Sequence, residues 1–134
     1  MTFDFLDNIE HLNSLKETLN SQQTDSPFLR CIKYGKNIES LVRYAYSIAF
    51  PKYKAENSEM IKLIKDKTFR TFLGKSDYYN KIHFIYLAGN NAAFDHDMDT
   101  ETADLAFENL KEITCLIFNK LNQNNDTYEE NKPL

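Results

Sequence analysis

The chain has 134 residues, with 16 basic against 20 acidic side chains and a formal net charge of −4, which is the size of one ordinary domain. Three glycines and three prolines are too few for the turns that a sandwich or barrel needs about every 8–12 residues. A hydrophobic fraction of 42% with eight Tyr and ten Phe is too high for a disordered chain, and no apolar run reaches the roughly 18 residues of a membrane span.

Phe5, Ile9, Leu12, Leu15 and Leu19 recur at helical spacing and predict one helix over residues 3–22. Asp25-Ser26-Pro27 is a helix start, a capping side chain followed by Pro at the first position. The helix it opens runs to Phe50, with Cys31, Tyr34, Ile38, Leu41, Val42, Ala45, Ile48 and Ala49 on one arc. Gly35 inside that helix costs up to about 1 kcal/mol against Ala, so a close helix contact is expected there. Pro51 ends the segment.

Ser58 is expected to cap a short helix through Met60, Ile61 and Ile64, with a further turn or two around Phe69, Phe72 and Leu73 that stops at Gly74. Ser76-Asp77 starts the next helix, which carries Tyr78, Ile82, Ile85, Tyr86, Gly89 and Ala93 on one face. Residues 82–94 contain no charged side chain when His83 is neutral, and a helix without a charged face is expected at the centre of a bundle. Asp99 or Thr100 caps the last helix, whose stripe runs Ala103, Ala106, Phe107, Leu110, Ile113, Ile117 and Leu121. The expected fold is a single-domain, all-α, mostly antiparallel five-helix bundle over residues 1–121. Residues 122–134 (NQNNDTYEENKPL) follow as a polar flexible tail or linker.

The charge is unevenly distributed. Residues 26–56 carry six bases and two acids, and residues 57–94 six and three; both ends are acidic, most strongly 95–134 with ten acids. Such a basic middle either neutralises itself in the fold or leaves a positive face. The residues of the first basic stretch that could meet nucleic acid are Arg30, Lys33, Lys36, Arg43, Lys52 and Lys54, interleaved with aromatics.

Catalytic and metal-binding motifs are missing. The sequence has no P-loop, no GxGxxG, no GxSxG and no HExxH. Cys31 and Cys115 stand 84 positions apart in apolar surroundings and read as buried reduced thiols of a cytoplasmic protein. Asp95, Asp97, Asp99 and Glu101 have the spacing of a calcium loop, but Thr100 stands where the turn needs Gly and Ala106 where the bidentate Glu belongs. No metal, cofactor or catalytic residue is expected.

Three stretches, IESLVRYAY (38–46), TFRTFLG (68–74) and IHFIYLAGNNAAFDHDMDTETADLAFENLKEITCLIF (82–118), together resemble the N-terminal helical domain of type I restriction enzyme R subunits and related helicases. That family belongs to the HEPN group of helical bundles, and the resemblance spans residues 3–121. Its most specific piece, a pattern of the form LGNxAxH, falls here on Gly89, Asn90, Ala92 and Ala93, with the family's His replaced by Phe94. Nucleolytic members carry an Arg followed four to six residues later by His, and none of Arg30, Arg43 and Arg70 has a His at that spacing. The resemblance therefore implies a non-catalytic interaction or scaffolding module of a DNA-restriction defence system, docking on protein partners such as other restriction subunits, with homodimerisation a further mode. Asn90 would be a buried structural hydrogen-bonder. Two other readings remain: a nucleic-acid-binding module using the 30–54 face, and a degenerate ribonuclease or toxin relative.

Overall fold

The structure is a computed structural model describing residues 3–7, 9–55, 58–94 and 97–130, with side chains as far as Gln123. Among these residues six α-helices and no strand form an all-α bundle: α1 Asn13–Asn20, α2 Pro27–Ala49, α3 Met60–Lys65, α4 Lys67–Leu73, α5 Ser76–Phe94 and α6 Thr100–Glu130.

Pro27 sits in the first turn of α2, after Ser26, and the helix ends ahead of Phe50-Pro51, as the start and stop signals require. Tyr34, Ile38, Leu41, Val42 and Ala45 are completely buried on it, each large apolar side chain contributing about 1.5–3 kcal/mol by burial. Packing is most extensive between α2 and α5, then between α2 and α6 and between α5 and α6. Gly35 meets Gly89 while Arg30 meets Asp104 and Tyr44 stacks on Phe118. The two contacts with α6 follow the same order along both helices, so α2 runs parallel to α6.

The expected order of burial is reversed at the centre: α2, not α5, is the axis of the bundle. Along α5 only Ile82, Ile85, Ala88, Gly89 and Ala92 are buried, while Leu87 is 42% and Phe94 92% exposed. A stretch without charge need not be buried all round, since its Asn and Ala residues tolerate water.

Two other expectations are corrected. The first helix does not begin at residue 3: Asp4–Leu6 and Glu10–Leu12 are separate 3₁₀ turns, and α1 starts only at Asn13. The i, i+3 alignment of a 3₁₀ turn buries Phe3 and Leu6 and leaves Phe5 exposed. The segment after Ser58 is two helices, so the bundle has six rather than five. Asp66 divides them by accepting hydrogen bonds from the backbone N–H groups of Thr68 and Phe69 (2.9 and 3.3 Å), which caps α4. Glu59, not Ser58, is the N-cap residue of α3, and no side chain caps it. Gly74 closes α4 at φ +93°, with its N–H on the Arg70 carbonyl, a conformation that favours glycine. Asp99 caps α6 through the Thr102 N–H at 2.6 Å. The hydroxyl and N–H of Thr102 hold its carboxyl below the ordinary range. Helix α6 continues to Glu130, past Leu121, the last side chain it buries among the described residues, because an established helix extends at one hydrogen bond per residue.

Candidate functional site

The segment from Gly89 to Ala93 lies at the α2–α5 crossing. A Cβ on Gly89 would stand 2.8 Å from the Gly35 Cα and 3.1 Å from the Cys31 carbonyl oxygen, and one on Gly35 would stand 3.0 Å from the Gly89 Cα. Both glycines are needed for the two backbones to approach this closely. Ala88 and Ala92 continue the contact with Cys31 and Ala103. Asn90 and Ala93, in contrast, are exposed. The expected role of Asn90 as a buried hydrogen-bonder is thereby corrected: it follows Gly89 by about 100° of helical turn, which carries it away from α2. Leu87, Asn90, Asn91 and Phe94 are all exposed and spaced i, i+3, i+4, i+7, so they share one helical face, and none carries a charge.

The six cations singled out between residues 30 and 54 do not form one free surface. Arg30 is 6% exposed. Its Nε–H donates to the Tyr34 hydroxyl at 2.9 Å and its Nη2 pairs with Asp104 at 2.9 Å. Burial opposes its charge, but these two partners outweigh it and raise its pKa. The Tyr34 hydroxyl in turn donates to Gln23, whose side-chain amide donates to the Thr18 carbonyl. Thr18 accepts from Asn37, and Asn37 accepts from Ser14. One polar chain thus ties α1, the α1–α2 connection, α2 and α6 together. Arg43 is equally occupied: it donates to the Ala55 and Ser58 carbonyls (2.6 and 3.1 Å) and to Glu39 (3.3 Å). Lys33 pairs with Asp25. Lys36, Lys52 and Lys54 are exposed.

A different basic cluster is free. Lys65, Lys67, Arg70 and Lys75 line an open concavity of about 610 Å³ at the corner of α3, α4 and α5, with Thr71, Ser76 and Tyr79. All four cations are exposed, and none makes an ion pair among the described residues. Tyr79 orients the Arg70 guanidinium, which lies 4.4 Å from its ring centroid, and Lys75 lies 5.9 Å from the Tyr78 ring. His83 stacks on Tyr79 at 5.7 Å. Sequence reasoning passed over this cluster, although five of the six bases in residues 57–94 fall between Lys62 and Lys75. A second hollow of about 530 Å³ is lined by His11, Tyr44, Tyr53 and the already occupied Arg43.

Cys31 is buried and Cys115 half-buried, with no disulfide among the described residues, and burial raises the pKa of each, which keeps them protonated and poor nucleophiles. Of the acidic turn, Asp95 and His96 lie outside the described residues. No group of three His, Cys, Asp or Glu side chains gathers in metal-binding geometry among the described residues. Among them, too, no helix is long and apolar enough to cross a membrane. Comparison with family models, with curated proteins and with solved structures gave no match.

Proposed function

We propose that this chain is a non-catalytic helical interaction module, of the HEPN-like kind that precedes the motor in type I restriction R subunits, working in the cytoplasm as part of a DNA-restriction defence system. The observation that carries the reading is the uncharged exposed face Leu87–Asn90–Asn91–Phe94. Its aromatic end, Phe94, is 92% exposed at the position where the resembling family has its His. A phenyl ring there transfers no proton, but a large exposed aromatic supplies the kind of anchor that dominates protein interfaces. The Gly35–Gly89 crossing supports the same reading, because it gives the motif a packing role and places its exposed residues on a rigid helix.

The partner is a protein of the restriction assembly. Binding of the purified chain to restriction subunits, measured by calorimetry, is expected to weaken at least tenfold in Phe94→Glu, a loss of about 1.4 kcal/mol, with the helical circular dichroism unchanged. Binding by Phe94→Glu at the level of the natural chain would overturn the proposal. Light scattering on the same samples separates self-association from binding to a different partner. Cleavage of labelled RNA that disappears in His83→Ala would establish the nuclease reading in its place.

A further inference from the structure

The corner between α3, α4 and α5 gathers four cations that make no ion pair among the described residues. Lys65 comes from the last turn of α3, Lys67 and Arg70 from α4, and Lys75 from the connection after Gly74. All four face one concavity. Lys120 of α6 adds a fifth cation, its ammonium 3.5 Å from where a Cβ on Gly74 would stand. The acids nearest in sequence are committed elsewhere: Asp66 accepts from the Thr68 and Phe69 N–H groups, and Asp77 pairs with Lys81, which also binds Glu112. In a chain of net charge −4, self-neutralisation was available to these cations and is not used.

We propose that this concavity binds the phosphate backbone of a single nucleic-acid strand, without selecting its bases. The lining carries the argument. Pockets for small ligands are largely enclosed, whereas this hollow is open and carries ammonium, guanidinium and hydroxyl groups around it. That chemistry recognises phosphate oxygens along a chain passing through. The aromatic side chains present do not offer a base platform, because Tyr79 already carries Arg70 and stacks on His83. Arg70, held in place by Tyr79, supplies the fork that fits a phosphate in two places, and the lysines act as point charges around it.

The test is fluorescence anisotropy of labelled oligothymidylate and oligouridylate, about 20 nucleotides long so that the strand exceeds one site. Four neutralised phosphates on a single strand give a salt slope of about −2.8, so affinity is expected to fall roughly 50-fold between about 50 and 200 mM salt. Arg70→Gln/Lys75→Gln should bind at least about tenfold more weakly at low salt and reduce the slope by about 1.4. Lys75→Gln alone, at an exposed position, should show half of that change in slope. Lys52→Gln/Lys54→Gln, on the connection after α2, should bind as the natural chain does. The proposal is overturned by any of four results. These are no binding at low salt, undiminished binding by Arg70→Gln/Lys75→Gln, an equal loss in Lys52→Gln/Lys54→Gln, or displacement of the strand by micromolar pyrophosphate, which would mark a site for a small anion.

Discussion

Helix α2 and the α3–α5 corner are both rich in positive charge, yet they use it in opposite ways. On α2, Arg30 and Arg43 point into the fold and spend their donors on Tyr34, Asp104, Ala55, Ser58 and Glu39. At the corner, Lys65, Lys67, Arg70 and Lys75 are exposed and unpaired among the described residues. The difference follows from side-chain chemistry and position together. Arginine presents a planar fork that several acceptors can satisfy at once, and α2 is enclosed by α1, α5 and α6. The corner cations stand on the short helices α3 and α4 and on the connection that follows. Equal counts of basic residues therefore mark a brace in one region and a surface in the other.

The comparison breaks most readily at Arg30. Arg30→Leu removes the hydrogen bond to Tyr34 and the pair with Asp104, and is expected to lower stability by about 1.5–3 kcal/mol, the range for hydrogen bonds to charged groups. Asp104→Asn should cost under about 1 kcal/mol, because the Asp104 side chain is 62% exposed and solvent screens its half of the pair. Urea denaturation of both variants checks the order, and an equal loss in the two would mean that the Tyr34 contact contributes nothing.

The next effect lies on the other side of α2. Gly89→Ala gains up to about 1 kcal/mol of helix propensity but places a methyl group 2.8 Å from the Gly35 Cα and 3.1 Å from the Cys31 carbonyl oxygen. Both neighbours are backbone and cannot rotate away, so α2 and α5 must separate. Overpacking of this kind costs about 1–3 kcal/mol, so the balance is a net loss of about 1 kcal/mol, visible as a lowered melting temperature. A melting temperature at or above that of the natural chain would show that the crossing tolerates the added methyl group.

Much of this architecture was legible in the residues. Pro27, Gly74 and Asp99 mark helix ends by mechanisms that act within a few residues, and Gly35 in a helix pointed to a close contact because nothing local explains its cost. What the sequence could not supply was long-range: that the backbone facing Gly35 is Gly89, that α2 is the axis, and that Asn90 turns outward beside a buried glycine. The break before α1 was hidden because Phe5, Ile9 and Leu12 fit a helical period that the chain does not follow there. Asp66 as the boundary between α3 and α4 was legible and missed, since a cap between two lysines reads easily as part of a charged face.

The candidate site was less legible for a related reason. Composition shows how many cations a segment has but not whether acceptors await them. Arg30 needed Asp104, which is 74 positions further along the chain, to become a brace. The corner cluster needed Gly74 to turn the chain sharply enough that Lys67, Arg70 and Lys75 face one hollow. The same separation hides the titration behaviour of the core. Tyr34 and Tyr46 have phenol pKa values raised by burial, and the Tyr46 hydroxyl donates to the Leu63 carbonyl at 2.6 Å. In the unfolded chain these phenols titrate near about 10. The native state then holds protons that the unfolded chain releases, so the stability these phenols contribute is fully present below about pH 10 and is lost as pH rises above it. Denaturant midpoints should fall between about pH 9 and 11, and fall less in Tyr46→Phe, which removes one of the two phenols.

The smallest expected effect sharpens the comparison most. Lys67→Gln and Lys75→Gln remove exposed charges that make no ion pair among the described residues, so each should leave the urea midpoint within about 0.5 kcal/mol of the natural chain, as for surface changes in general. Their sign carries information as well. Unpaired like charges crowded at one corner repel one another, more so at low ionic strength. Removing one should therefore stabilise slightly in low salt and become neutral as salt rises. A destabilisation by either variant that persists at high salt would mean that its ammonium is a structural partner, and the corner would then be a brace of the same kind as α2.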